Sequence, residues 1–272
     1  MTQTIINDDK IISTIKENDK NYILSLLAEN GKIYTLSTFA SLLDKRAYFT
    51  INKEGELKRK DNNLIVPFFA YCNDNELLAQ TILEKSDLKE RNKISKINRF
   101  SNIDEEKLKE NFLKTLTNGG LEFSLKYGKE LFLRSKDEFF KTALFFSLMG
   151  ELKSLKSLVV LGFKKLMSNQ EYNENLLYLV ISFLTKYRDN FYFYEVAETA
   201  EKNFDIKEFL ESNKNILNSK EGLGALSSLV AIKELEANKQ EKFIQKINNE
   251  LTSLKKLTPL NSTEEYLLTF FL

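Results

Sequence analysis

At 272 residues the chain is long enough to bury a substantial core, and its 42% hydrophobic and 29% charged residues are the balance of an ordinary soluble globular protein. Its 40 Lys and Arg against 39 Asp and Glu leave a net charge of +1, so there is no global electrostatic case for nucleic acid or an anionic membrane. It has no histidine and a single cysteine, Cys72, which excludes every imidazole-based mechanism, histidine-ligated zinc, a thiolate cluster and an internal disulfide.

The N-terminal stretch Met1–Asp9 has neither a basic region nor an apolar one and does not read as a signal peptide. The longest uncharged apolar run, around 175–185, is far short of the ~20 residues of a membrane span. The expectation is a cytoplasmic protein without membrane contact. Its wealth of Lys, Asn, Ile and Phe, with no Trp, resembles proteins of AT-rich genomes, of a low-GC bacterium or a phage.

Taken in order, residues 8–17 and 19–30 read as helices, and 35–43 as a third short one. Gly31 stands after Ala28-Glu29-Asn30, placed for the left-handed conformation that stops a helix. Tyr48-Phe49-Thr50-Ile51-Asn52 is β-branched and aromatic, and a charged return follows Lys53-Glu54-Gly55-Glu56, which reads as a β-hairpin near 46–60 or as an exposed excursion. Leu64-Ile65-Val66-Pro67-Phe68-Phe69 reads either as a buried strand or as a helix start with Pro67 in its first turn. Residues 75–85 are helical again. The polar, basic stretch 86–103 marks a boundary between an N-terminal α(+β) module, 1–100, and the remainder, 101–272.

From there helix starts recur near Asp104, Lys136, Glu171, Asp205 and Gln240, a spacing of roughly 34 residues that marks stacked helical hairpins. The predicted helices cover 104–118, two stretches of 136–167 divided at Gly150, then 171–188, 191–203, 205–218, 220–238, 240–256 and 262–271. In the first, Leu108, Phe112, Leu113 and Leu116 share a face, leaving Lys107, Lys109, Glu110 and Lys114 for solvent. Gly119-Gly120 and Gly150 read as left-handed stops, and Ser86, Ser101, Ser135 and Ser168 as N-caps.

Within 136–167, Ala143, Phe146, Gly150, Leu155, Val159 and Gly162 follow the spacing of small and large packing positions in the tetratricopeptide family, and Leu184, Tyr187, Val196 and Ala200 continue it. Leu155 replaces the usual alanine, and the proline after the second helix is missing. The segment resembles a divergent tetratricopeptide-like or HEAT-like array over about 60% of the chain. That resemblance implies protein or peptide binding on a concave surface and carries no residue-level binding motif. The fold class expected is mostly α, an α-solenoid-like helical-hairpin array behind the small N-terminal module.

Chemistry-bearing patterns are few. Gly222-Leu223-Gly224 and Gly119-Gly120 lack the Lys-Ser/Thr or third glycine of a phosphate loop and read as helix breaks. Asp8-Asp9, Asp104-Glu105-Glu106 and Glu264-Glu265 sit at helix starts, where they complement the macrodipole rather than act as acid and base. Cys72, in an apolar setting, reads as a small buried hydrophobe. No Ser-Lys dyad is selected. The expectation is a non-enzyme with no catalytic residue, metal or cofactor.

Two surfaces are left. Phe191-Tyr192-Phe193-Tyr194 places four rings in a row, which one helix cannot bury on one side, and Tyr266, Phe270 and Phe271 make the C-terminus unusually apolar. These rings are the expected anchors for a protein partner of unknown identity, with the protein acting as adaptor, scaffold or inhibitor. A terminus this apolar either docks on its own chain or buries itself in a partner or second copy. The alternative is a nucleic-acid-associated protein using segments 45–60 and 85–99. Its contacts would be Lys58, Arg59, Lys60, Lys89, Arg91, Lys93, Lys96 and Arg99, set against a simpler reading as a solvated face.

Overall fold

Two prolines in 272 residues leave long stretches free to form helix, and the computed structural model is mostly helical, with fifteen helices and one two-stranded sheet among the described residues. It describes residues 8–89, 100–170, 172–198 and 205–272. The first helices are α1 (Asp8–Lys16) and α2 (Lys20–Leu43), followed by strands β1 (Phe49–Ile51) and β2 (Leu57–Arg59), then α3 (Ile65–Tyr71) and α4 (Asn75–Lys85). The central group is α5 (Glu105–Asn118), α6 (Leu121–Arg134), α7 (Lys136–Met149), a 3-10 turn (Leu152–Ser154), α8 (Lys156–Leu166) and α9 (Glu174–Lys186). Then come α10 (Tyr192–Glu195), α11 (Ile206–Ser212), α12 (Lys214–Leu217), α13 (Lys220–Ile232), α14 (Ala237–Thr252) and α15 (Ser262–Leu268).

Differences from expectation have local causes. Segments 19–30 and 35–43 form one element, α2, kinked at Gly31, whose φ of 77° and ψ of 177° bend the helix without ending it. Gly119 is the expected left-handed cap, at φ 70° and ψ 25°. Gly150 is extended at φ −76°, and it is Leu155 that takes the left-handed position before α8, at φ 55°. None of the four expected serines, Ser86, Ser101, Ser135 and Ser168, caps a helix with its side chain. Asp19, Asp74, Asp104, Asn173, Asp205 and Asn261 cap helices with side-chain oxygens, whereas Ser135 holds a cap position without a side-chain bond and Ser86 is the C-cap of α4. An Asp or Asn oxygen reaches the N–H groups of the first turn that would otherwise go unpaired. Segment 205–218 breaks at Asn213 into two short helices. Leu64–Phe69 opens a helix, α3, in which Pro67 lies in the first turn, where its missing N–H removes no bond.

The hairpin forms within 46–60, pairing Phe49 with Arg59, Thr50 with Lys58 and Ile51 with Leu57. Gly55, at φ 84°, makes its turn.

Helix α8 is buried from Lys156 to Phe163 because it meets neighbours on several sides: α3, α7, α13 and α9. Helix α9, buried from Leu176 to Thr185, packs on α2, α5 and α6 as well. Each helix from α5 to α9 contacts the next, and α2, α3, α8 and α9 contribute to one continuous buried cluster. Three close approaches depend on missing side chains. A Cβ at Gly162 of α8 would lie 2.5 Å from Cα of Pro67, one at Gly128 of α6 would lie 2.5 Å from Cδ1 of Ile181, and one at Gly224 of α13 would lie 2.1 Å from the Leu152 carbonyl oxygen. Asp44, at the end of α2, is tied to α9 by the Tyr178 hydroxyl (3.0 Å), the Ser182 hydroxyl (2.7 Å) and the Lys186 ammonium (2.7 Å).

Candidate binding groove

Lys109 and Glu110, two of the four residues assigned to solvent on α5, line one wall of a groove together with Glu106. Helices α5 and α7 pack side by side, so Lys109 of α5 faces Glu138 of α7, and the two side chains are only 22% and 23% exposed. Lys109 reaches Glu106 at 2.6 Å and Glu138 at 3.0 Å, and Lys141 joins Glu138 at 2.8 Å. The segment leading into α14 supplies the second wall, with Glu236 and Lys239 paired at 2.9 Å. Leu113, Phe145 and Leu235 form an apolar floor beneath these charges, and the groove encloses about 300 Å³.

The charges are coupled. Lys141 first, then Lys109, holds the Glu138 carboxyl below its ordinary range. Glu106 first, with Glu138 behind it, holds the Lys109 ammonium above its own, against a partial desolvation that pulls it down. Glu236 is lowered by Lys239. All three pairings favour the ionised forms. The groove therefore offers charge of both signs around an apolar centre. Among the described residues no His/Cys/Asp/Glu group has the arrangement to hold a metal ion. No described helix is long and apolar enough to cross a membrane.

The four-ring run divides. Phe191 packs edge-on to Phe146 with centroids 6.0 Å apart, and Tyr194 stacks on Phe243 at 5.3 Å, with the Lys242 ammonium 4.3 Å from the centre of the Tyr194 ring. Tyr194 also meets Phe145, edge-on at 6.1 Å, so it buttresses the groove floor. Tyr192 is 59% exposed and leans on the half-buried Phe193. At the C-terminus Tyr266 packs on Phe68 (5.3 Å), and Phe270 and Phe271 on Tyr71 (5.5 Å each), so α15 and its tail dock on α3 of the same chain. Phe270 keeps 44% of its surface exposed. Among the described residues no ring contact joins the 191–194 group to the C-terminal group.

The basic residues divide as well. Lys58 is exposed on the hairpin, and Arg59, exposed as well, is committed within the chain, donating to the Arg188 carbonyl at 2.6 Å and lying 5.6 Å from the centre of the Tyr187 ring. Lys60 is half-buried at the hairpin base. Arg46 donates to the Lys89 carbonyl at 3.0 Å, which brings exposed Lys89 to that base. Arg91, Lys93, Lys96 and Arg99 lie outside the described residues, as do Ala200 and the end of the helix predicted over 191–203.

Sequence reasoning missed Lys109, Glu138 and Lys141 as a unit, because helical spacing says which residues leave the core and not which neighbouring helix they then meet. Comparison with protein-family models, curated proteins and solved structures finds no match to this chain.

Proposed function

We propose that this protein is a non-enzymatic interaction module, an adaptor, scaffold or inhibitor, that takes a segment of a protein partner into the groove between α5, α7 and the start of α14. The observation that carries this reading is an apolar floor of Leu113, Phe145 and Leu235 under a rim of fixed charges of both signs. Such a floor provides binding energy on desolvation, while rim charges set orientation and exclude wrong partners. The succession α5–α6, α7–α8, each helix packed on the next, supports reading these hairpins as units of an α-solenoid-like array. Tyr192 and Phe193 are the rings of the aromatic run available to extend the contact. The cysteine content and composition support a cytoplasmic setting, in a low-GC bacterium or its phage.

Affinity capture from the native host with mass spectrometry tests it. Wild type is expected to retain one protein at stoichiometric yield, and the Lys141→Glu/Lys239→Glu variant, altered at two half-exposed rim positions, is expected to lose it while keeping its helical circular dichroism. Equal recovery by that variant would sink the groove as the binding surface.

A second reading rests on the Arg46–Lys89 contact, which gathers Lys58, Lys60 and Lys89 around the hairpin. It takes the hairpin as a contact to a nucleic-acid backbone. Binding is then expected at low salt and falls with a log–log slope of about −0.9 per phosphate neutralised. A Lys58→Glu/Lys60→Glu variant loses it. No mobility shift with DNA or RNA at low salt would end this reading.

A further inference from the structure

A second opening, sharing no lining residue with the groove, lies where the end of α5, helix α7, the start of α8 and the segment after α9 converge. It encloses about 140 Å³, room for several waters or one small molecule. Its polar equipment is unusual for a helical core. The Lys156 side chain, 1% exposed, lines it, with the ammonium 2.7 Å from Asp189 and 4.7 Å from the centre of the Phe146 ring. An ammonium carries three donors. Among the described residues, Asp189 is its one hydrogen-bond acceptor. Asp189 is itself committed, accepting the Glu151 N–H at 3.1 Å through its other oxygen.

Arg188, exposed at the same opening, has five donors and places one on the Thr117 carbonyl at 3.2 Å. Gly119 makes room for it, since a Cβ there would fall 2.1 Å from the guanidinium. The Thr117 and Thr185 hydroxyls are spent on the carbonyls of Leu113 and Ile181. Arg59 adds positive potential from the Tyr187 ring. Glu151, a further carboxylate that acts on Lys156, accepts from Asn190 and lies 3.5 Å from Lys153 through one oxygen, while its Oε2 is buried without a hydrogen-bond partner. The lining therefore holds two cations with donors to spare and one carboxylate whose two oxygens both accept.

We propose that this cavity is a binding site for a small oxyanion, a phosphate or short carboxylate, held by the Lys156 ammonium and the Arg188 guanidinium. An oxyanion accepts from both cations at once, which satisfies buried donors that Asp189 alone leaves open. The Phe146 and Tyr187 rings keep the ion pair out of bulk water, where such bonds count for more. Lys156 supplies a fixed charge at the inner end and Arg188 a planar fork at the mouth.

The test uses the full chain, titrated by calorimetry and by thermal unfolding with sodium phosphate and, separately, sodium acetate, each at constant ionic strength against chloride. One of the two is expected to bind saturably and raise the melting temperature. Saturation by phosphate alone assigns a phosphate site, and by acetate alone a carboxylate site. Arg188→Gln, at an exposed position, is expected to weaken that binding about tenfold with the ligand-free melting temperature unchanged. Lys156→Met is expected to abolish it. Saturation by neither probe, or identical titrations of wild type and Arg188→Gln, would overturn the proposal. The site stands apart from the groove, so loss of partner capture by the rim variant has no bearing on these titrations.

Discussion

Asp189→Ala is expected to lower the stability of the full chain by about 3–5 kcal/mol, the range for removing one partner of a buried ion pair. Lys156 and Asp189 are each only 1% exposed at their side chains. Burial pulls the Lys156 ammonium below its ordinary value, and the Asp189 carboxylate is the chief group opposing that pull. Without Asp189 the charge is stranded, and the Glu151 N–H loses its acceptor too. That N–H belongs to the turn between α7 and α8, which is held at three consecutive residues. The Gly150 carbonyl accepts from Lys246, Glu151 donates to Asp189, and Leu152 donates to Glu250 at 2.7 Å. The same loss appears as a melting temperature lower by on the order of 10 °C. Lys156→Met combined with Asp189→Leu is expected to recover most of it, because two apolar side chains remove the stranded charge. Urea unfolding of the three proteins decides the matter. A loss below about 1 kcal/mol in the single variant would mean that water already reaches Lys156.

How far the fold was legible follows from the range of the forces involved. Apolar spacing and capping act within a turn or two, so the positions of α5, α7 and α9 and of the hairpin lay within reach of the sequence, whereas Leu64–Phe69 stayed open between a buried strand and a helix start, which α3 resolves. Chain-wide packing did not. That α3 lies across α8, or that α15 docks on Tyr71, depends on surfaces far apart in the chain. The groove shows the same divide. Lys109 looks like any exposed lysine of an amphipathic helix until α7 brings Glu138 to 3.0 Å. Lys156 and Asp189 resemble ordinary charges at helix ends, and only burial distinguishes them. The aromatic run was legible as an anomaly. Its division into Phe191 and Tyr194 inward and Tyr192 outward required the positions of Phe146 and Phe243.

Gly224→Ala separates local preference from packing, because the two predict opposite signs. Gly224 lies inside α13, where alanine in place of glycine is worth about 1 kcal/mol of helix stability. Its neighbour is the turn Leu152–Ser154, and the added methyl would sit 2.1 Å from the Leu152 carbonyl oxygen and 2.6 Å from the carbonyl carbon. Both atoms are backbone, in the turn that Asp189, Lys246 and Glu250 already hold, so neither can swing aside as a side-chain tip does. Helix α13 must move away, opening its contact with α8 as well. Overpacking of this kind costs about 1–3 kcal/mol, and a backbone clash belongs at or beyond the top of that range. The net expectation is a loss of about 2 kcal/mol or more after the helix gain is subtracted. Gly162→Ala, 2.5 Å from Cα of Pro67, is expected to behave alike. Gly120→Ala is the control, since its nearest atom is the Thr115 carbonyl oxygen at 3.8 Å and its φ is −82°, which any residue adopts. It is expected within about 0.5 kcal/mol of wild type. If Gly224→Ala matched that control in thermal unfolding, α13 would not lie against the turn as described, and the packing that positions α8 would need revision.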